Sequence, residues 1–250
     1  MKTYLPEPLT PKAIQELLCV NGIGVIVSGK MDAATTRAVK VFQEGKGLLV
    51  DGVVGPRTTK ALSESIQFCA DLPSRCEGVK VDLPSVLCWL AEEHLALHPR
   101  EIGGDNRGPW VRLFTESSDG GAWCASWATF VLQQAWDVLN RFGVTPGFSR
   151  LRYRTAWCPT IQTRARKDGR LITRAEAKAD PTRVKAGMLF LVWSEAKGRV
   201  SHTGVLVGDG QLDGTFETIE GNTNDDGNAN GQEVARRIRL AATCEFVDLR

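Results

Sequence analysis

A repeat of 23 residues constrains the folding of this chain more than any other feature. Residues 28–39, beginning Ser28-Gly29, align with residues 51–62, beginning Asp51-Gly52, so that Gly29 matches Gly52, Thr35 and Thr36 match Thr58 and Thr59, and Ala38 matches Ala61. Each copy reads as a glycine turn leading into a helix, because glycine enters the left-handed region without a Cβ penalty. Ala38, Val39 and Phe42 of the first copy and Ala61 and Leu62 of the second supply an apolar face. Upstream, residues 11–23 predict a further helix: Pro11 occupies the first turn, Ile14, Leu17 and Leu18 share one side, and Asn21-Gly22 stops it. The expectation is a three-helix module over residues 1–66, near the lower size limit for independent folding. The first copy has Asp32-Ala33 where the second has a further glycine, Gly55, so its turn is expected to be looser.

The string AVKVFQEGKGLLVDGVVGPRTTKAL, residues 38–62, resembles the peptidoglycan-binding domain found in many phage lysins and bacterial amidases. That family's pattern, AVxxFQxxxGLxxDGxxGxxT, is matched from Ala38 to Thr58. The resemblance implies that the module holds bacterial peptidoglycan. Its glycines and threonines read individually as turn and cap residues.

Charge excludes one class of partner. Lysine and arginine total 31 against 29 acids, and residues 1–66 hold 8 basic and 6 acidic side chains, so neither half is basic enough for nucleic acid. The longest apolar runs, such as Met188–Trp193, are far shorter than the ~20 residues that span a bilayer, so no membrane insertion is expected. The opening MKTYLPEPLTPK lacks the apolar stretch and cleavage site of a secretory signal, which predicts synthesis in a host cytoplasm and action on the wall after release or export. Seven cysteines without a CxxC pattern predict no metal and no cofactor. Residues 67–83 contain two Leu-Pro steps and mixed charge and read as a linker, in which Cys69 and Cys76 could pair under oxidation.

From residue 84 the pattern is helical first and stranded later. Residues 85–97 and 122–142 predict helices; residues 188–193, 200–207, 215–220 and 233–240 predict strands separated by glycine-rich turns. That order predicts an α+β domain with an antiparallel sheet over residues 84–250. Cys124 follows the polar loop Ser118–Trp123 and opens the longer helix, where the positive end of the dipole favours thiolate. Cys19 and Cys88, among Leu, Val and Trp, read as buried structural thiols. His202 lies in a strand on the same face as Val200 and Leu206; Phe216, Thr218 and Glu220 share a face of the next strand. Asn222 joins that face if extended backbone continues through Gly221. A carboxylate or amide accepting from one imidazole nitrogen leaves the other to serve a thiol. His94 and His98, four apart, read as a solvated helix face rather than a zinc pair.

The segments EIGGDNRGP (101–109), GAWCASWATFVL (121–132), SHTGVLVG (201–208) and TIEGNTN (218–224) resemble the CHAP family of cysteine- and histidine-dependent amidohydrolases and peptidases, which have a papain-like fold. The resemblance implies Cys124 as nucleophile, His202 as general base and then acid, Glu220 as orienter of the imidazole, and Asn222 as a supporting polar residue. Only Asp119 precedes the cysteine where many phage members carry an aspartate-rich calcium loop, so no calcium is expected; Gly187-Met188 stands where Gly-Asp is common. The expected reaction is hydrolysis of a wall-peptide amide by a monomer. Either the bond from the muramic acid lactyl group to L-alanine or a bond within or between stem peptides would serve. The settings that fit are a phage endolysin, an antibacterial effector or a bacterial autolysin; the rival from another class is a non-catalytic wall-binding protein on a disabled hydrolase scaffold.

Overall fold

The structure, a computed structural model, describes residues 8–147, 150–224 and 231–250. In chain order its elements are α1 (Pro11–Val20), α2 (Ala33–Gly45), α3 (Pro56–Leu62), α4 (Glu64–Asp71), α5 (Leu83–Ala96), α6 (Pro109–Thr115), α7 (Cys124–Arg141), α8 (Cys158–Lys167), β1 (Leu171–Ile172), α9 (Arg174–Ala179), β2 (Leu189–Ser194), β3 (Arg199–Leu206), β4 (Thr215–Thr223), β5 (Glu233–Leu240) and β6 (Cys244–Val247). Two compact units result, Met1–Ala70 with Arg100–Gly121, and Asp71–Pro99 with Ala122–Arg250.

In the first unit the repeat is built around two buried glutamines. Gln15 Nε2 reaches Ser28 Oγ, the Lys30 carbonyl and Thr35 Oγ1, and its Oε1 accepts from Gly29 N–H at 2.8 Å. Gln43 Nε2 reaches Asp51 Oδ1, the Val53 carbonyl and Thr58 Oγ1, and its Oε1 accepts from Gly52 N–H, also at 2.8 Å. The same turn is thus satisfied by the same amide in both copies, with Gly29 at φ +73° and Gly52 at +77°. The first turn is not looser than the second. Asp32 caps α2 by accepting from Thr35 N–H at 2.7 Å, whereas Gly55 gives α3 no side-chain cap. Helix α1 ends at Val20, short of residue 23, because Asn21 Nδ2 donates to the carbonyls of Leu17 and Leu62. Val39, Phe42 and Leu62 enter the core as expected, while Ala61 is half-buried.

Two expectations about boundaries are corrected. Residues 67–83 hold a boundary between the units, at Ala70/Asp71, but are not irregular: α4 and a 3₁₀ turn, Leu72–Arg75, occupy much of the segment. Ile66, Cys69 and Leu72 recur every third residue and are buried. Pro73 and Pro84 break nothing, because each lies in the first turn of its helix, where no N–H is required. Cys69 and Cys76 are free thiols. Residues 100–121, read as part of one domain over 84–250, instead group with the first unit. There Glu16, whose side chain is 1% exposed, receives Arg112 Nη2 at 2.5 Å, and Arg112 Nη1 also meets Asp119 at 3.1 Å. A carboxylate buried this deeply on α1 requires a cation beside it, and α6 supplies it.

The second unit is an α+β layer structure. Its sheet runs in the order β1-β6-β2-β3-β4-β5, with antiparallel pairing throughout. Phe190, Phe216 and Phe246 form the centre of the core, meeting edge-on with ring centroids 5.8 and 5.1 Å apart. Helix α7 packs on β3 and β4, and α5 packs on α7. The four strands expected from alternation lie within a residue or so of their predicted starts, although β4 runs on to Thr223. The pattern missed β6: its four residues are all buried and it lies between β1 and β2, but CEFV has no alternation to reveal it.

Candidate active site

Cys124 is the first residue of α7, and its side chain is buried. The residue before it, Trp123, offers no side-chain cap. Its backbone N–H donates instead to Asn222 Oδ1 at 2.9 Å. Asn222 therefore anchors the start of the helix that presents the thiol and does not bond the histidine. Extended backbone does not continue through the Glu-Gly-Asn step as expected, because the β4–β5 register shifts between Glu220 and Thr223 and Asn222 sits at φ +56°. Asparagine tolerates that region better than most residues. Gly221 is required by crowding: a Cβ there would lie 2.7 Å from Trp127 Cβ and 2.8 Å from Trp123 Cζ3.

His202 on β3 and Glu220 on β4 come from paired strands, with Val205 opposite Ile219 fixing the register. Nε2 of the imidazole lies 2.7 Å from Glu220 Oε2. Nδ1 is buried and has no hydrogen-bond partner among the described residues, while the ring is under the influence of the Cys124 sulfur. The carboxylate thus bonds one imidazole nitrogen and leaves the other unbonded among the described residues. Glu220, buried completely, is held further. Thr218 Oγ1 donates to Oε1 at 2.7 Å, and Arg239 on β5 grips both oxygens, Nε to Oε1 at 2.7 Å and Nη2 to Oε2 at 2.5 Å.

Electrostatics follow from these contacts. Burial opposes the charge on Glu220, but Arg239 and His202 outweigh it and draw its pKa down to about 2. Burial likewise opposes imidazolium, yet Cys124 and Glu220 raise His202 to about 9. The Cys124 thiol is pulled well below its ordinary value, first by the Cys158 thiol and then, against burial, by His202. These contacts shift the thiol towards thiolate and the imidazole towards imidazolium, beside a carboxylate held ionised by a guanidinium.

Sequence reasoning missed Arg239 and Cys158. Arg239 belongs to no motif, and only strand pairing brings it across from β5. Cys158 opens α8 and lies with its sulfur 3.8 Å from that of Cys124, 34 residues away in sequence. Two other readings are corrected. His94 is not on a solvated face: it is wholly buried, accepts from Trp127 Nε1–H at 3.1 Å and bonds Gln134 Oε1 at 2.7 Å, and burial lowers its pKa to about 4. His98 lies beyond the end of α5 at φ +48°, so the two histidines do not share a helix face. Cys19 and Cys88 are half-buried rather than buried, each donating to a backbone carbonyl. Among the described residues no cluster of three or more His, Cys, Asp or Glu could hold a metal, and no helix is long and apolar enough to cross a membrane.

Each unit carries a cleft. In the second, one of about 450 Å³ beside α8 is lined by Arg150, Tyr153, Trp157, Arg164 and Lys167. Residues 150–170 hold seven arginines and lysines and one acid, a local excess that the balanced composition of the whole chain hides. In the first, a cleft of about 470 Å³ is lined by Gln43, Leu49, Asp51, Val53 and Arg57 of the second repeat copy, with Leu49 and Val53 largely exposed.

Residues 11–62 match the family model of a peptidoglycan binding domain. No curated protein and no solved structure matches the chain. The N-terminal module is thus similar to a peptidoglycan-binding domain, which supports peptidoglycan as a partner.

Proposed function

We propose that the chain is a peptidoglycan hydrolase, with a papain-like second unit of the CHAP kind that cleaves a wall-peptide amide by a thiol mechanism. The observation that carries this reading is the buried His202–Glu220 bond of 2.7 Å on an imidazole that also feels the thiol opening α7. The resemblance of residues 121–132, 201–208 and 218–224 to that family supports it, as does a binding domain for the polymer to be cut.

The Cys124 thiolate attacks the amide carbonyl. The N–H of Cys124 itself, which as a first-turn donor has no acceptor within the helix, stabilises the resulting oxyanion. His202 gives its Nδ1 proton to the leaving amine, the C–N bond breaks and a thioester remains. The neutral imidazole then takes a proton from water, hydroxide attacks the thioester and the thiolate departs. Glu220 holds the ring and balances its charge in both steps, and Arg239 fixes Glu220. The cationic cleft beside α8 suits the free carboxylates of wall peptides, and the second-repeat cleft of the N-terminal module suits contact with the polymer. The setting we infer is that of a phage endolysin, in which a wall-binding module accompanies such a hydrolase.

The test is to incubate the protein with purified sacculi and analyse the released fragments by mass. New free amino groups matched by lactyl carboxylates identify an amidase; new peptide termini identify an endopeptidase. Release of sugar fragments alone, or of nothing, overturns the proposal.

A further inference from the structure

Two thiols meet in the second unit, and the hydrolytic cycle uses one of them. Cys124 Sγ and Cys158 Sγ are 3.8 Å apart, both side chains are nearly buried, and each is the first residue of its helix, α7 and α8. The contact is a thiol hydrogen bond that either sulfur could donate; a covalent bond needs a sulfur separation of about 2.05 Å, so the sulfurs must close by roughly 2 Å. We propose that Cys124 and Cys158 form a peroxide-sensing dithiol that oxidises reversibly to an intramolecular disulfide, silencing Cys124 until a dithiol reductant restores it.

The steps balance. The Cys124 thiolate attacks one oxygen of a hydroperoxide; an S–O bond forms, the O–O bond breaks, and the departing oxygen leaves as water or an alcohol after taking a proton. Cys158 then attacks the sulfenic sulfur of Cys124; the S–S bond forms, the S–O bond breaks, and the hydroxide leaves as water with the proton of Cys158. Two thiols lose two electrons and the peroxide gains them. A dithiol such as dithiothreitol reverses the change by exchange.

Several features favour this chemistry. The neighbouring thiol and the imidazole shift Cys124 towards thiolate, the form that reacts with peroxide. The resolving sulfur is already in contact, so disulfide formation competes with further oxidation of the sulfenic acid. Both cysteines belong to the second unit, so closing the bond asks nothing of the first.

The full chain treated with about one equivalent of hydrogen peroxide, alkylated in denaturant and digested with trypsin, tests the proposal by mass and independently of any hydrolytic activity. We expect residues 113–141, which contain Cys124, to be recovered linked to residues 155–164, which contain Cys158. The alkylatable thiols should fall by two from the seven of the untreated chain, and dithiothreitol should restore them. In Cys158→Ser, or Cys158→Ala where serine disturbs folding, raising the peroxide to about two equivalents or more should carry Cys124 through sulfenic to sulfinic acid, one peroxide being consumed at each step, and dithiothreitol does not reverse the sulfinic acid. Sulfinic acid at Cys124 of the unaltered chain with no linked peptide, or linkage of Cys124 to another cysteine, would overturn it.

Discussion

Glu220 stays ionised in a wholly buried position because Arg239 grips both of its oxygens, and the site depends on that grip. Arg239→Ala leaves a buried carboxylate without its cation, a change that typically costs about 3–5 kcal/mol. The expected outcome is a fall of that order in unfolding free energy, read by denaturant titration, and a loss of turnover larger than that of Arg239→Lys. The imidazole gives a second test. In the proposed mechanism His202 carries the proton that releases the amine, and its pKa is raised to about 9, so kcat/KM should hold through neutral pH and fall with a midpoint near 9. In Glu220→Gln the hydrogen bond can persist but the charge is gone, and the falling limb should move down towards the ordinary value of 6.5. A limb unmoved in that variant would show that Glu220 does not act on the histidine. Of these residues, Cys124, His202 and Glu220 were legible in sequence because each lies in a local motif of known chemistry. Arg239 and Cys158 were not, because their roles arise from a strand pairing and from a helix start 34 residues beyond the nucleophile.

At the scale of elements, α7 decides where Cys124 points, and α5 holds α7. The connection is polar as well as apolar: His94 of α5 accepts from Trp127 and bonds Gln134, both on α7. Burial depresses His94 to about 4 from 6.5, so its contribution to stability is present above pH 6.5 and is lost as pH falls through about 4. Across that window the native state should lose up to about 3 kcal/mol through this group, at about 1.4 kcal/mol per pKa unit. His94→Gln should show a flatter dependence on pH in denaturant titrations between 6.5 and 4; an unchanged slope would remove His94 from the account. Sequence periodicity found α1, α2, α5, α7 and four of the strands because their apolar residues repeat with the period of the element. It could not find the two glutamines at the heart of the repeat, since a polar residue at a buried position carries no periodic signal. Nor could it see that the Leu-Pro steps of residues 67–83 begin helices rather than interrupt them.

The chain passes from the first unit to the second between Ala70 and Asp71, inside the segment read as a linker, but Arg100–Gly121 returns to the first unit. A cut within residues 67–83 would part residues 100–121 from the rest of their own unit, stripping Glu16 from Arg112 and exposing α6, with Trp110 and Phe114. A fragment beginning at Ala70 should therefore be less stable and more prone to aggregate than the full chain, read by thermal unfolding and size-exclusion chromatography. A fragment as stable and as monomeric as the parent would count against the division into these units. The proposed binding and cutting functions are better separated by point substitution. Leu49→Ser with Arg57→Ala, at the cleft of the second repeat copy, should reduce sedimentation with sacculi and slow their lysis while sparing soluble wall peptides, because tethering raises the concentration of the site at the polymer surface. Equal sedimentation in the variant would move wall contact elsewhere. The most direct test of the central claim compares the intact protein with Cys124→Ala on purified sacculi, following turbidity and sedimentation in the same samples. The account predicts that the variant still sediments with the wall but clears none of it; clearing at the parental rate would contradict it.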